Sequence, residues 1–524
     1  MKKTVYGISI VFTSVFFIGC GGGDAYYGGE EPGGLVSDCS GASSCISDEN
    51  IYAGNGIGVW SYKNNGAGGV DLNISISNTA NKDITVVFTN EGDNDVRLPY
   101  IKVDTTLKKE TYGEQAVGTI KYTPRTVRQV DLEEFVRQDD QGLPLQLQTP
   151  SYKTWSLNSN NAWYVETGEA GKRRTAIATL KKQTAVLGRT INIWVEDDEF
   201  GNEKIDDAKI DDIASNVNTI YTNVVNIAGE PWGAHSQSYF ISKDQPLDVV
   251  LVNFDNDSDP GGMVGYFDPN NNFINKNEFN AALAIFIDTE TYYLYGDGKD
   301  VTLSTIAHEL THAINFYQRY ILMGSSNQFD VFLDEMSAVM MEDVLSKKIS
   351  SAFNDVRLRY KDWLKEPLYH CDFKKWEECN GDSVYSYSVA GSFGAFLLRQ
   401  YGIDFYKTLF RTSSSSSLNV LNEAIKKSDN RGLPHALRNW GASIAMFPTS
   451  VKPEGFGYPA LKDGGFELEA FDGNDYKSYR KLPISSPSTL AAHAHFPFLR
   501  KSSNYAYEET FTVPKGVSVS VIVK

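Results

Sequence analysis

An α+β protein of several domains is predicted by three observations on this sequence. Residues 51–188 carry short runs in which apolar and polar residues alternate, the period of half-buried strands. Residues 189–451 mix strand-length apolar runs with long stretches of helical spacing. Residues 452–524 return to alternation and close on the apolar run 517–523. A length of 524 residues suits two to four domains, and 41% hydrophobic content supplies sizeable cores. The net charge of −17, with no basic stripe, excludes nucleic acid as an expected partner.

At the amino terminus, Lys2 and Lys3 precede an apolar stretch from Val5 to Gly19. It is short for a membrane span and suited to a signal peptide over residues 1–19. Phe17-Ile18-Gly19-Cys20 resembles a relaxed bacterial lipobox, which implies an acylated Cys20 after cleavage and a lipid-anchored, extracytoplasmic place in the bacterial cell envelope. Residues 20–50, rich in Gly, Glu and Pro up to Gly34, read as a flexible tether. Four further cysteines form two close pairs, Cys39 with Cys45 and Cys371 with Cys379, which in an exported chain suggests two local disulfides.

The alternating region 51–188 reads as a β-sandwich-like domain. Leu72, Ile74 and Ile76 alternate with polar neighbours, as do Ile84, Val86 and Phe88, and Asn81-Lys82-Asp83 between them is a hairpin signal. Residues 452–524 read as a separate, small C-terminal β region. Its His493-Ala494-His495 is expected to be two exposed side chains on a strand.

Between these lies the region where chemistry concentrates. Strands at 191–195, 249–252 and 283–288 and a helix around 213–225 lead to a long helix from Leu303 to Leu322, with Thr302 or Ser304 as its N-cap. Inside it stands His308-Glu309-Leu310-Thr311-His312. Residues i and i+4 share a helical face, so both imidazoles can reach one metal ion, with Glu309 beside the metal and able to deprotonate a water held there. A second helix over 330–345 has Phe332, Met336, Val339 and Met340 as its apolar stripe, and Glu335 lies inside that stripe. An inward carboxylate is costly unless paired, and a metal supplies the pairing. Asp334, turned by about one hundred degrees, is the weaker ligand. A zinc site of three protein ligands with a fourth position for water is the expectation.

At this point a resemblance is specific. AHELTHAINFYQR and FLDEMSAVMMEDV, with the upstream INIWVEDD, NIAGEPWG, MVGYFDP and AIFIDTE, resemble the hyicolysin family of zinc metallopeptidases, a gluzincin group, over residues 190 to 450. The resemblance implies a gluzincin-type, thermolysin-like domain of mixed sheet and helices over 189–451, with His308, His312 and Glu335 as zinc ligands and Glu309 as general base. One departure is Asp334-Glu335-Met336, where related peptidases usually carry Asn-Glu-Gly. Tyr387-Ser388-Val389-Ala390 opens a helix running to Gly402 that is similar to the tyrosine-bearing helix of gluzincin aminopeptidases, which makes Tyr387 the candidate donor to the transition-state oxyanion, with Tyr385 and His435 as alternatives. The strand 283–288 is then either the sheet edge that aligns an extended peptide or a buried central strand.

The implied function is zinc-dependent peptide-bond hydrolysis by a membrane-anchored extracytoplasmic endopeptidase acting on peptide or protein substrates. The alternative is a surface-binding lipoprotein with a protease-like scaffold. A calcium site at Asp255, Asp257 and Asp259 matches only the first spacings of a calcium loop, since Pro260 and Tyr266 replace the glycine and glutamate such a loop needs.

Overall fold

A computed structural model describes residues 35–37, 47–106, 122–123, 154–167, 172–446 and 453–524, apart from single positions and short stretches within these ranges. Cys20, Cys39, Cys45, Asp257 and Asp259 lie outside the described residues, and the expected tether is described only at 35–37, 47–48 and 50, where Val36–Ser37 and Ser47–Asp48 are short strands.

After two-residue strands at Val36–Ser37, Ser47–Asp48 and Ile51–Tyr52 come β1 (Gly58–Lys63), beside which Val36–Ser37 pairs as the fifth strand of its sheet, β2 (Val70–Ser77) and β3 (Asp83–Asn90). They are followed by β4 (Asn160–Glu166), β5 (Arg173–Val186) and β6 (Arg189–Glu196). Helix α1 (Asp207–Ala228) starts where the Asp206 side chain accepts from the Lys209 N–H, satisfying one of the orphan donors of a helix start. Strands β7 (Leu247–Val252), β8 (Gly265–Phe267) and β9 (Leu283–Asp288) lead to α2 (Gly298–Asn315). Helices α3 (Val331–Ile349), α4 (Asp355–Lys365), α5 (Ser383–Arg411) and α6 (Gly432–Ser443) follow. Strands β10 (His495–Lys501), β11 (Ala506–Val513) and β12 (Val517–Val523) complete the set.

Six strands make one sheet in the order β8-β9-β7-β6-β5-β4. Strands β6, β7 and β9 are parallel, and β8 lies antiparallel to β9 at the end of the sheet. The parallel strands read as unbroken apolar runs because both their faces are covered. Ile191, Ile193 and Val195 join the core under α1 and α2, while Trp194 packs on the other face with Trp163 and Phe286. The strand 283–288 is therefore internal, and the two end strands of the sheet are β8 and β4. Residues 160–186, expected in the sandwich, belong to this sheet, because β5 pairs with both β4 and β6.

The sandwich draws on both ends of the described chain. Strand β12 lies between β1 and β3, β10 lies outside β3, and β11 pairs with β2 in the second sheet. Trp60, Ile74, Ile76, Val86 and Phe88 share one core with Phe496, Phe498, Phe511, Val519 and Val521. The expected hairpin between β2 and β3 does not form. Asn78 and Asn81, at φ 62° and 60°, turn the chain from one sheet into the other, and asparagine tolerates that conformation better than most residues. His493 and His495, expected to be exposed, are 1% and 2% exposed at the seam with the helices.

Helix α2 begins at Gly298, earlier than expected, so Thr302 and Ser304 lie inside it. A Cβ at Gly298 would sit 2.2 Å from the Thr291 carbonyl oxygen, which is why the helix starts on a glycine. The helix runs on as a π-helical segment over Phe316–Leu322. Helices α3 and α5 approach closely because α5 offers no side chain at Gly394, where a Cβ would lie 2.7 Å from Met340 Cγ and 3.4 Å from Met336 Cγ. Met336 thus fills the seam between α3 and α5, and Tyr387 comes within reach of α3.

Candidate metal centre

His308 and His312 project from α2 and Glu335 from α3, and their ligand atoms lie within 4.8 Å of one another. All three side chains are fully buried. The outer nitrogen of each imidazole is tied to a carboxylate. His308 Nδ1 donates to Glu342 Oε1 at 2.6 Å, and His312 Nδ1 donates to Asp334 Oδ1 at 2.7 Å. Asp334 is held in turn by Asn315 Nδ2 at 2.7 Å, and Glu342 by Ser304 Oγ at 3.1 Å. Each Nδ1 is thus engaged outward, and each Nε2 turns inward toward Glu335 Oε2, at 3.2 Å from His308 and 3.4 Å from His312.

Asp334 is thus the orienting partner of His312. Sequence reasoning weighed it only as a ligand. Glu342 escaped notice altogether, although its place seven residues after Glu335, two helical turns on and facing the same way, was a usable signal.

Electrostatics point the same way. Burial pulls both imidazoles down, but the hydrogen bonds from Glu335 and Glu342 outweigh it and raise His308 to about 9. For His312 burial is overcome by the charges of Glu335 and Asp334, and its pKa stands well above the ordinary value. Glu335 is pushed up by burial and down, on balance to about 2, by the two histidines. Glu309 shares this space, and burial raises it to about 7 against the pull of the same two imidazoles. The Phe267 backbone N–H holds Glu309 weakly, and His312 Nε2 has no well-formed hydrogen bond among the described residues. Four carboxylates around two imidazoles, with inward ligand atoms left unsatisfied, are the donor set a divalent cation fits.

Tyr387, at the start of α5, is fully buried, and its hydroxyl donates to Glu335 Oε2 at 2.9 Å. Tyr385 packs at the rim of the main core, and His435 pairs with Asp429 at 2.8 Å. Cys371 and Cys379 are disulfide-bonded. Among the described residues the His-His-Glu group is the only such cluster able to hold a metal, which leaves the calcium expectation unsupported. No helix among them is long and apolar enough to cross a membrane.

Two imidazoles one helical turn apart, a carboxylate from a second helix, and a buried glutamate between them form the kind of site that a metal-dependent peptidase needs. Comparison with known proteins places the chain further: it belongs to the Peptidase M30 family, whose profile matches residues 171–524. Residues 37–103 match a domain of unknown function, DUF8571. The chain is 21% identical over 336 residues to the neutral metalloprotease ShpI of Staphylococcus hyicus, covering 62% of this chain and 70% of that protein. A crystal structure of a two-domain M1 zinc metallopeptidase mutant bound to L-arginine aligns at 11% identity and a TM-score of 0.28, over 54% of this chain and 60% of that one. The family membership supports a metallopeptidase of the hyicolysin-like kind, and the His-His-Glu group fits its zinc.

Proposed function

We propose that the protein is a zinc-dependent endopeptidase of gluzincin type, tethered by a lipid on Cys20 to the outer side of a bacterial membrane. The observation that carries the catalytic part is the placing of Glu309, fully buried, between two histidines whose inward nitrogens meet Glu335. A zinc ion bound by His308, His312 and Glu335 would supply Lewis acidity that makes water nucleophilic near neutral pH. Glu309 takes the proton of the attacking water and returns it to the leaving amine. Tyr387, whose hydroxyl already lies at Glu335, donates to the oxyanion that forms on the substrate carbonyl. The end strand β8 runs beside α2, and an extended peptide lying along it would pass the metal-binding helix.

The test is purified protein beside Glu309→Gln. Both should hold about one zinc per chain, since Glu309 is not a ligand, while only the parent cleaves peptide bonds. Equal cleavage by the two would remove Glu309 from its role. Internal cleavage of an N-acetylated peptide supports an endopeptidase, whereas action confined to free amino termini turns the reading to an aminopeptidase. Cys20→Ala should release the protein from membranes, and unchanged partitioning would count against the lipid anchor.

A further inference from the structure

The turn at residues 491–494 closes with an Ala494 N–H to Ala491 carbonyl bond of 3.3 Å, and its third residue is His493 at φ 56°. That is the position a type II turn reserves for glycine, and a side chain there is strained. Strain of this kind persists only where contacts over-determine it. Here the buried ring donates or accepts through both nitrogens, Nδ1 to Asp372 Oδ1 at 3.0 Å and Nε2 to Asp93 Oδ1 at 3.2 Å. It also lies 4.9 Å from the ring of Phe373.

Asp372 and Phe373 open the loop closed by the Cys371–Cys379 disulfide. That loop touches the catalytic helices at both of the elements that matter. Phe373 packs against Phe332 of α3 at 5.5 Å and Phe393 of α5 at 5.2 Å. Trp376 stands edge-on to Tyr387, ring centres 4.9 Å apart. Phe332 lies one helical turn before Glu335, and Tyr387 is bonded to Glu335. The loop is short and cross-linked, so a shift at Asp372 is passed to Trp376 four residues on.

We propose that the β-sandwich is a working part of the active site: His493 is a positioning residue that latches the disulfide loop, and through Trp376 holds Tyr387 in place against Glu335. The role assigned to Tyr387 rests on the function proposed above. The sandwich thereby does more than space the catalytic region from a membrane.

The test begins with His493→Gly, which suits the turn and removes the latch. With zinc content unchanged, kcat should fall about tenfold, while KM stays within about twofold of the parent. The same substitution made on Tyr387→Phe should have little further effect, because both act through one side chain. His493→Asn tolerates the left-handed turn and can still donate to Asp372, so it should restore most of the loss. Independently of activity, the Trp376 resonance of 5-fluorotryptophan-labelled protein, assigned with Trp376→Phe, should shift or broaden in His493→Gly. A kcat within about twofold of the parent, a fall undiminished on the Tyr387→Phe background, or an unmoved Trp376 resonance would overturn the latch. If the parent cleaves no peptide, the proposed function fails and the fluorine resonance alone decides the latch. Should His493→Gly fail to fold, Asp372→Asn carries the same comparisons from the other side of the contact.

Discussion

Acidification should loosen the seam between sandwich and helices through His495. This side chain is fully buried, its Nδ1 bonds Thr89 Oγ1 at 3.0 Å, and its ring lies 4.8 Å from that of Trp440. Space is tight, since a Cβ at Gly441 would lie 2.5 Å from Nδ1. Burial, and then the charge of nearby His493, push its pKa from 6.5 down to about 3. The sign follows directly. The folded value lies below the unfolded one, so the unfolded chain takes up the proton first, and stability is intact above pH 6.5 and lost as the pH falls toward 3. At pH 5 the unfolded side chain is about thirtyfold more protonated than neutral while the folded one is still neutral, a loss of about 2 kcal/mol relative to pH 8. His495→Asn keeps a partner for Thr89 and cannot titrate. Urea unfolding of parent and variant at both pH values, compared as a difference of differences, cancels the other groups that titrate in this range. The variant should lose about 2 kcal/mol less than the parent between pH 8 and 5, and equal losses would refute the burial argument.

Two further outcomes follow from buried charge. Glu342→Gln weakens the acceptor that orients His308, and zinc affinity measured by chelator competition should drop about 10- to 100-fold while the chain stays folded. Arg399 and Asp343 form an ion pair with both side chains fully buried, and Arg399 also donates to the Glu469 carbonyl. Arg399→Met strands the carboxylate and should cost about 3–5 kcal/mol, read as a large fall in the thermal midpoint, whereas Arg399→Met with Asp343→Leu should recover much of it.

The centre was more legible in the sequence than its surroundings. The i, i+4 histidines and a glutamate inside an apolar stripe are local patterns, and helical geometry alone brings their side chains to one side. The strands 283–288 and 517–523 were equally plain, because runs of β-branched and apolar residues mark strands covered on both faces. Pairing was not legible. Alternation in β2 and β3 says which residues face inward but not which strand lies alongside, and the true partner of Ser77 is Ala506. The same limit hid His493 and His495, since nothing in a strand's own alternation reports a loop or helix packed over it. Glu342 went unseen because attention stopped at the ligand, although the carboxylate that aims the ligand obeys the same helical period.

Strand β12, in the middle of the five-stranded sheet, has a consequence for how the molecule is made. A ribosome delivers residues 58–90 long before residues 495–523, so β1 and β3 must wait with the place between them unfilled while the whole peptidase segment emerges. Closing so long a loop makes the sandwich a late and slow event. A chain cut short before β12 would keep every ligand and the general base, yet leave β1 and β3 without the strand that joins them.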